Sequence, residues 1–314
     1  MKGFLNLNKL KHFFSIFFPL FLLVAFLMLL SLEIYFREYI KKTILLPEPK
    51  AAISSVKYPV LKSDFNPAVS AKGAIVMDGA SKVVLYAKNP DLRFTLASTT
   101  KIMTAITALD YFSLKDEMLV KNSIFEGSVV GFKQGEKVTF ENLLYGMLLP
   151  SGNDAALTIA VNFPGGEKEF VKIMNENAQK WKLENTHFED TSGLDDGNYT
   201  TPLDLARLSA IAIQSPEFAK VVSTKDKVIT DISGKNVYEL NNLNKLLGFN
   251  GINGIKTGYT EEAGQVLVTS ESFTQDTDVH TVVIVVMGSE DRFFDTQLIL
   301  NELSGNINYL TIRP

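Results

Sequence analysis

The pattern of hydrophobic and polar positions separates an apolar N-terminal segment from a longer region of short, alternating elements. Phe13–Leu32 is almost wholly apolar, and three lysines lie among the twelve residues before it. About twenty apolar residues are enough to cross the hydrocarbon core of a bilayer. Bulky residues at 33–37 stand where a secretory signal would have a small-residue cleavage site. The pattern therefore predicts an uncleaved transmembrane signal anchor over 13–32 with residues 1–12 in the cytoplasm, although basic residues after the span weaken the charge bias.

Residues 33–67 contain four prolines among side chains of mixed charge. This composition is typical of an extended linker that holds a globular domain a short way off the membrane. A regular pattern of apolar positions begins near residue 68. We therefore predict a juxtamembrane linker over 33–67, a folded domain over 68–305 and a C-terminal tail over 306–314.

Within the predicted domain, the apolar positions recur with two different periods. Short β-rich runs predict strands at 74–77, 83–86, 265–269 and 281–287. Three- and four-residue apolar steps predict helices that begin near Ser98 and that cover 140–149, 154–160, 167–182 and 202–213. Strands at both ends with helices between them predict an α/β or α+β fold, in which helices flank an antiparallel sheet built from both ends of the domain.

The composition removes several classes of chemistry. The chain has 314 residues, a formal net charge of −4, no cysteine and only three histidines. Disulfides, cysteine-ligated zinc and thiol catalysis are therefore excluded, and a histidine-ligated metal site is not expected. The mild acidity and the absence of a basic stripe beyond the N-terminus argue against a nucleic-acid partner. We expect neither a metal nor a cofactor.

Ser98 and Lys101 are the first candidate for catalysis. Residues three apart lie on the same face of a helix, so the Lys101 amine can reach the Ser98 hydroxyl. An amine whose pKa is lowered by burial or by a second cation can take the proton from a serine and make it nucleophilic. Free N–H groups at the helix start suit an oxyanion. The alternative is that Ser98 only caps the helix and Lys101 is a solvated surface residue.

Two further motifs follow along the chain. Ser151-Gly152-Asn153 lies in a tight turn between two predicted helices, where it can present a hydroxyl and an amide. Lys256-Thr257-Gly258 lies on a predicted strand beside two others. Each motif alone is also compatible with an ordinary turn or strand. Their occurrence together, in this order after Ser98-x-x-Lys101, is far more specific.

The three motifs in this order resemble those of the penicillin-binding protein and serine β-lactamase superfamily. The amino-acid sequence around the motifs is most similar to that of the low-molecular-mass D-alanyl-D-alanine carboxypeptidases, peptidase family S11. The similarity covers residues 68 to 303 and is clearest at 85–104, 148–160, 185–209 and 254–268. It implies a β-lactamase/transpeptidase-like domain. A glutamate on an Ω-loop, which class A β-lactamases use for deacylation, has no convincing match here.

The resemblance implies a role for each motif residue. Ser98 would be the nucleophile and Lys101 its general base, with nearby Lys256 keeping Lys101 neutral by repulsion. Ser151 and Asn153 would transfer protons and position the substrate amide. The terminal carboxylate of the substrate would be bound by Lys256 and Thr257, with Arg292 as a further candidate. The backbone N–H groups of Ser98 and Tyr259 would form the oxyanion hole, beside Gly258, where a side chain would block the substrate.

The substrate implied by the resemblance is a peptidoglycan stem peptide that ends in D-Ala-D-Ala, and β-lactams would be covalent inhibitors. The catalytic domain would then be membrane-anchored on the extracytoplasmic side of the cytoplasmic membrane. Because the chain ends soon after the last predicted strand and helix, we expect neither the C-terminal β-domain nor the terminal membrane helix of many relatives. Two alternatives stay open: a D,D-endopeptidase that cleaves cross-links, and a non-catalytic penicillin-binding sensor.

Overall fold

The computed structural model describes residues 7–44, 56–122 and 126–312. They form two compact units, one that contains helix α1 and one that spans Val56–Ile312. The helices are α1 Leu7–Ile44, α2 Thr100–Leu109, α3 Phe140–Leu148, α4 Asn153–Asn162, α5 Gly166–Lys180, α6 Pro202–Ala212, α7 Pro216–Val222 and α8 Arg292–Leu303. The strands are β1 Val56–Leu61, β2 Gly73–Asp78, β3 Val84–Lys88, β4 Phe94–Thr95, β5 Glu117–Leu119, β6 Lys137–Thr139, β7 Tyr199–Thr200, β8 Asp226–Thr230, β9 Val237–Asn241, β10 Ile252–Thr260, β11 Gly264–Gln275, β12 Asp278–Ser289 and β13 Ile307–Ile312.

The centre of the Val56–Ile312 unit is a five-stranded antiparallel sheet with the strand order β10-β11-β12-β2-β3. Strand β2 from the start of the domain pairs with β12 from its end, with Val283 opposite Met77. The two ends of the domain therefore meet inside one sheet. This arrangement confirms the predicted mixed fold with an antiparallel sheet flanked by helices.

The side chains of β12 show why the sheet is covered on both faces. Val283 and Val285 belong to the large buried cluster that includes residues of α2, α3, α4, α5 and α6. Their neighbours Val282 and Ile284 belong to a second cluster that includes residues of α8. Successive residues of a strand point to opposite faces, so an unbroken apolar run is expected where both faces are covered.

Helix α2 lies at the middle of the helical layer and packs against α3, α4, α5 and α6. Its residues from Thr100 to Ala108 are all buried. A helix that is buried around its whole circumference needs neighbours on every side. The start of this helix is therefore held by the packing of four other helices.

The structure differs from the prediction at both ends of the domain. Helix α1 continues to Ile44, so the first part of the predicted linker 33–67 is helical. Residues 56–61 of the linker form β1, which pairs along its length with β13, so the predicted tail 306–314 also contains a strand. Pro59 is compatible with this two-stranded ribbon because proline is tolerated on edge strands. Residues 62–67 belong to neither a helix nor a strand, and residues 1–6 and 45–55 lie outside the described residues.

No helix in the described ranges is long and apolar enough to span a membrane. The signal anchor over 13–32 stays a prediction.

Candidate active site

A strained turn places Ser98 at the start of the central helix. One 3-10 turn over Ala97–Thr99 joins β4 to α2. Ala97 adopts φ +46°, a left-handed conformation that costs a non-glycine residue about 1–3 kcal/mol. Leu96 and Ala97 are fully buried while Ser98 is partly exposed. Packing of the buried residues therefore holds the turn in the conformation that presents the serine hydroxyl.

The amine of Lys101 is completely buried and lies at the centre of three hydrogen bonds. Its Nζ donates to Ser98 Oγ at 3.1 Å, to Asn153 Oδ1 at 2.7 Å and to the carbonyl oxygen of Ser192 at 2.6 Å. These three acceptors match the three N–H donors of an ammonium group. The network fixes the amine beside the serine hydroxyl, as the spacing of the two residues predicts.

Burial lowers the pKa of Lys101 to about 7, against the opposing effect of Asp190 and then Asp154. The sequence analysis named burial or a second cation as possible causes of a lowered pKa, with Lys256 helping by repulsion; of these, loss of hydration by burial is the largest cause in the structure. An amine with a pKa near 7 is neutral in a large fraction of molecules at neutral pH. Lys101 can therefore accept a proton from Ser98 without first losing one to another base.

Lys256 lies on β10 and is also fully buried. Its Nζ donates to Ser151 Oγ at 2.9 Å and to the carbonyl oxygen of Thr257 at 3.0 Å. Burial, and then the charges of Lys101 and Arg292, hold the pKa of Lys256 well below its usual value. A carboxylate that enters the site would reverse part of this shift, because an opposite charge favours the charged amine.

The turn between α3 and α4 supplies the remaining polar groups. Ser151 adopts φ +68°, which turns the chain sharply just before α4. Asn153 is held from both sides, since its backbone N–H donates to Ser128 O at 2.7 Å and its Nδ2 to Glu126 O at 2.9 Å. The side-chain oxygen of Asn153 is thereby directed at Lys101.

One cleft of about 290 Å³ brings the predicted residues together. Gly258 is packed so closely against the helix start that a Cβ there would lie 3.4 Å from the backbone nitrogen of Ser98. Arg292, at the start of α8, donates from Nη1 to Gly258 O at 2.8 Å. The residues that line the cleft include Ser98, Ser151, Asn153, Thr257, Gly258, Tyr259 and Arg292, and Lys101 and Lys256 reach it by their hydrogen bonds.

The guanidinium of Arg292 retains unused donor capacity. Burial lowers its pKa, and its Nε is buried without a hydrogen-bond partner among the described residues. Arg292 also lines the cleft, and a guanidinium in this position suits the recognition of an anionic group.

Two buried or half-buried carboxylates that organise this site were not predicted from the sequence. Asp154 accepts hydrogen bonds from the backbone N–H groups of 130–132 at 2.8–3.1 Å, and so fixes the loop beside Asn153. Asp190 accepts from the backbone of the loop that supplies the Ser192 carbonyl. The only sequence feature that could have indicated Asp154 and Asp190 is an acidic residue near a turn sequence. This feature is too common to distinguish these two residues from other acidic residues. Within the described ranges, no group of three or more histidine, aspartate or glutamate side chains is placed to hold a metal ion.

A serine and a buried lysine on one helical turn, a Ser-x-Asn turn and a Lys-Thr-Gly strand define the class of penicillin-recognising serine acyl-transfer enzymes. The family model of the D-alanyl-D-alanine carboxypeptidases, peptidase family S11, matches residues 61–290. The chain belongs to this family of serine peptidases.

Relatives and a solved structure agree with this assignment. The D-alanyl-D-alanine carboxypeptidase DacF of Bacillus subtilis is 35% identical over 209 residues, which are 64% of this chain and 54% of that protein. A D-alanyl-D-alanine endopeptidase of Pseudomonas aeruginosa is 31% identical over 250 residues, which are 78% of this chain and 80% of that protein. The crystal structure of a Streptomyces DD-transpeptidase has a TM-score of 0.70 and 31% identity, over 77% of this chain and 100% of that one. The chain thus spans about half the length of the Bacillus relative.

Proposed function

We propose that this protein is a serine-type D-alanyl-D-alanine carboxypeptidase that removes the last D-alanine from peptidoglycan stem pentapeptides. The observation that carries the proposal is the contact of the buried Lys101 amine with Ser98 Oγ at 3.1 Å. A domain that bound its ligands without forming a covalent bond to Ser98 would not need a buried base beside the serine. β-Lactams would acylate Ser98 and block the same site.

Acylation begins when neutral Lys101 takes the proton of the Ser98 hydroxyl. The Ser98 oxygen then bonds to the carbonyl carbon between the two terminal D-alanines. The resulting oxyanion accepts hydrogen bonds from the backbone N–H groups of Ser98 and Tyr259. As the C–N bond breaks, the leaving amine receives the proton that Lys101 took from Ser98. Free D-alanine and an ester on Ser98 remain.

Hydrolysis of the ester uses the same base a second time. Lys101, neutral again, takes a proton from a water molecule while the water oxygen bonds to the ester carbonyl carbon. The tetrahedral intermediate collapses, the Ser98 oxygen leaves and the proton returns to it. The shortened stem peptide is released with a free carboxylate, and no cofactor is consumed.

The free carboxylate at the end of the substrate selects the cleavage position. Lys256 and Thr257 would receive it on one side of the cleft, and Arg292 would contribute the guanidinium that lies 2.8 Å from Gly258 O. Hydrogen bonds between charged partners are among the stronger ones in proteins, and they fix orientation as well as affinity. The scissile carbonyl, one residue away, would then lie over Ser98.

The test is an incubation of the full chain, in detergent, with a pentapeptide that ends in D-Ala-D-Ala. Release of free D-alanine at the same rate as disappearance of the pentapeptide would support the carboxypeptidase. A fluorescent penicillin in a parallel sample reports whether Ser98 acylates at all. A protein that is labelled by penicillin but releases no D-alanine would be a sensor, and the proposed activity would be wrong.

A D,D-endopeptidase is the second candidate, and the similarity to the Pseudomonas aeruginosa endopeptidase over 80% of its length favours it. The same serine and lysine would cleave the bond between a D-alanine and the side chain of a neighbouring stem. Cross-linked muropeptides separate the two activities. An endopeptidase converts the dimers to monomers faster than it trims the pentapeptide, and a carboxypeptidase does the reverse.

We further propose that the protein is anchored in the cytoplasmic membrane by residues 13–32, with its catalytic domain on the outside. The apolar composition of this segment and the location of peptidoglycan support the proposal. The protein should stay in the membrane fraction at high salt. Protease added to intact spheroplasts should digest the domain. If the domain is digested only after lysis, the orientation is inverted and the peptidoglycan substrate is out of reach.

A further inference from the structure

The carboxylate of Asp190 is enclosed by the backbone of the residues that follow it. Its Oδ1 accepts hydrogen bonds from the N–H groups of Ser192 at 2.9 Å and Gly193 at 2.6 Å. Its Oδ2 accepts from the N–H groups of Leu194 at 2.9 Å and Asp195 at 2.8 Å. Four N–H groups from four consecutive residues form a nest around one anion. Asp190 therefore holds four consecutive N–H groups of the 191–195 loop with one side chain.

The same loop contacts the catalytic helix at three successive residues. The carbonyl of Thr191 accepts a hydrogen bond from Thr104 Oγ1 at 2.7 Å, and the carbonyl of Ser192 accepts one from Lys101 Nζ at 2.6 Å. Gly193, at φ +85°, approaches the turn so closely that a Cβ on it would lie 1.8 Å from the carbonyl oxygen of Ala97. The loop thus touches both the general base and the strained residue that precedes the nucleophile.

We infer that Asp190 is a positioning residue for acyl transfer: by folding the 191–195 loop it holds the Ser192 carbonyl on Lys101. This inference rests on the proposed serine peptidase activity. Asp190 has no direct contact with the cleft and acts through the amine. Its effect has two parts, the placement of the carbonyl and the negative charge that it brings near Lys101.

The charges around Lys101 determine whether the negative charge of Asp190 raises or lowers the pKa of the Lys101 amine. Asp190 and Asp154 both raise the pKa of Lys101, although burial has the larger and opposite effect. Lys256 is the amine on the strand side of the cleft, and burial, and then the charge of Lys101, lowers its pKa. Glu167 of α5 faces Asp190, whose charge, together with burial, raises the pKa of Glu167. Removal of the Asp190 charge should therefore lower the pKa of Lys101 and leave the amine neutral at more acidic pH.

Two substitutions separate placement from charge. Asp190→Asn keeps one oxygen that can accept from Ser192 and Gly193, but its amide nitrogen cannot accept from the other two N–H groups. Asp190→Ala keeps no acceptor. Both remove the charge, so both should move the acid limb of the acylation rate to lower pH. The rate on the plateau should fall by about 10²-fold for alanine, the scale of a misplaced catalytic group, and less for asparagine.

Asp295→Asn is the matched control. Asp295 is a buried carboxylate of α8 that accepts from the backbone N–H groups of Ser70 and Ala71 at 2.8 Å, and it has no contact with Lys101. This variant should lower the melting temperature and leave the acid limb in place. A merely structural role for Asp190 would make the two asparagine variants behave alike.

The measurement is the second-order rate of acylation by a fluorescent penicillin from pH 5 to 9, for the full chain in detergent. The 13Cε chemical shift of Lys101 against pH, in lysine-labelled protein, reports the same ionisation without activity. If the plateau rate of Asp190→Ala equals that of the wild type, or if the acid limb and the 13Cε titration of both Asp190 variants coincide with those of the wild type, the inference is wrong. If the wild type is never acylated, the proposed function fails instead, while the 13Cε titration still decides whether Asp190 acts on the Lys101 amine.

Discussion

Lys256 donates a hydrogen bond to Ser151 Oγ at 2.9 Å across a separation of 105 positions in the chain. The contact joins the strand side of the cleft to the turn between α3 and α4. Ser151 is therefore held next to one buried amine while Asn153, two residues later, is held next to the other. The Ser151-Gly152-Asn153 turn and the Lys256-Thr257-Gly258 strand therefore line one continuous polar side of the cleft.

The nucleophile and its base give the first prediction. Ser98→Ala should abolish covalent labelling by β-lactams, because no other hydroxyl touches the Lys101 amine among the described contacts. Lys101→Ala should keep the serine but slow acylation by at least ~100-fold, the usual scale for loss of a general base. Labelling is measured on gels with a fluorescent penicillin. Wild-type labelling of Ser98→Ala would exclude the mechanism.

The pH dependence of acylation follows from the pKa of Lys101, which burial lowers to about 7. The reactive form is the neutral amine, so the rate constant at low penicillin concentration should fall as pH drops below about 7. Above that pH it should reach a plateau. Measurement of the acylation rate constant from pH 5 to 9 checks this decrease at acidic pH. A rate that stays constant down to pH 5 would show that a group other than Lys101 takes the proton.

Lys256→Ala tests the carboxylate-binding side of the cleft. The variant loses the partner of Ser151 and the cation that would meet the substrate carboxylate, so turnover of the pentapeptide should fall by about 10²-fold or more. Lys245→Ala is the control, because Lys245 is exposed and contacts only the Phe293 ring, at 5.5 Å, in the described contacts. Circular dichroism should show both variants folded. Near-normal turnover of Lys256→Ala would contradict the assigned role.

Gly258→Ala tests the close approach of β10 to the helix start. The new Cβ would lie 3.3 Å from Ala97 Cβ and 3.4 Å from the backbone nitrogen of Ser98. The neighbouring backbone must shift by a few tenths of an ångström, which disturbs the oxyanion site more than the fold. Acylation should slow by about 10²-fold, as when one oxyanion donor is lost, while the melting temperature changes little. A large loss of stability at an unchanged rate would refute this reading.

Glu271 gives a prediction about stability, away from the cleft. Burial beside Leu303 and Ile307 raises the pKa of its carboxyl to about 7, from a usual value of 4.5. The folded state therefore holds a proton that the unfolded state has lost between these two pH values, and stability falls as pH rises through that window. Glu271→Gln should gain melting temperature relative to the wild type from pH 5 to 8. If the melting temperatures of Glu271→Gln and the wild type change in parallel with pH, the prediction is wrong. Glu262→Gln, at an exposed position, is the control and should change in parallel with the wild type.

The sequence could predict contacts between residues that lie within one helix or strand, or next to it in the chain. Ser98 and Lys101 meet because three residues make nearly one helical turn, and the strands of the sheet show in continuous β-branched runs. The contact of Lys256 with Ser151 depends on how two distant elements pack, and the resemblance to a known family indicated only that both residues belong to one site. Local pattern contains no information about such pairs.

Other elements were missed because their determinants are weak or nonlocal. Strand β1 contains Pro59 and finds its hydrogen bonds only in β13, at the other end of the domain. Helix α7 has seven residues, which is too short for a helical period to be distinguished from chance. The role of Asp190 is invisible in the sequence because its partners are backbone N–H groups, which every residue except proline possesses.

The β1–β13 ribbon has a practical consequence for handling the protein. Lys57 of β1 forms an ion pair with Asp278 at 3.2 Å, next to the turn between β11 and β12, whereas the cleft lies at the opposite end of β11, near its pairing with Gly258. The ten residues from Val266 to Gln275 span about 30 Å at the rise of a strand. Coupling this domain to a sensor chip or bead through residues next to either ribbon strand would therefore leave the penicillin-accepting face directed at the solution.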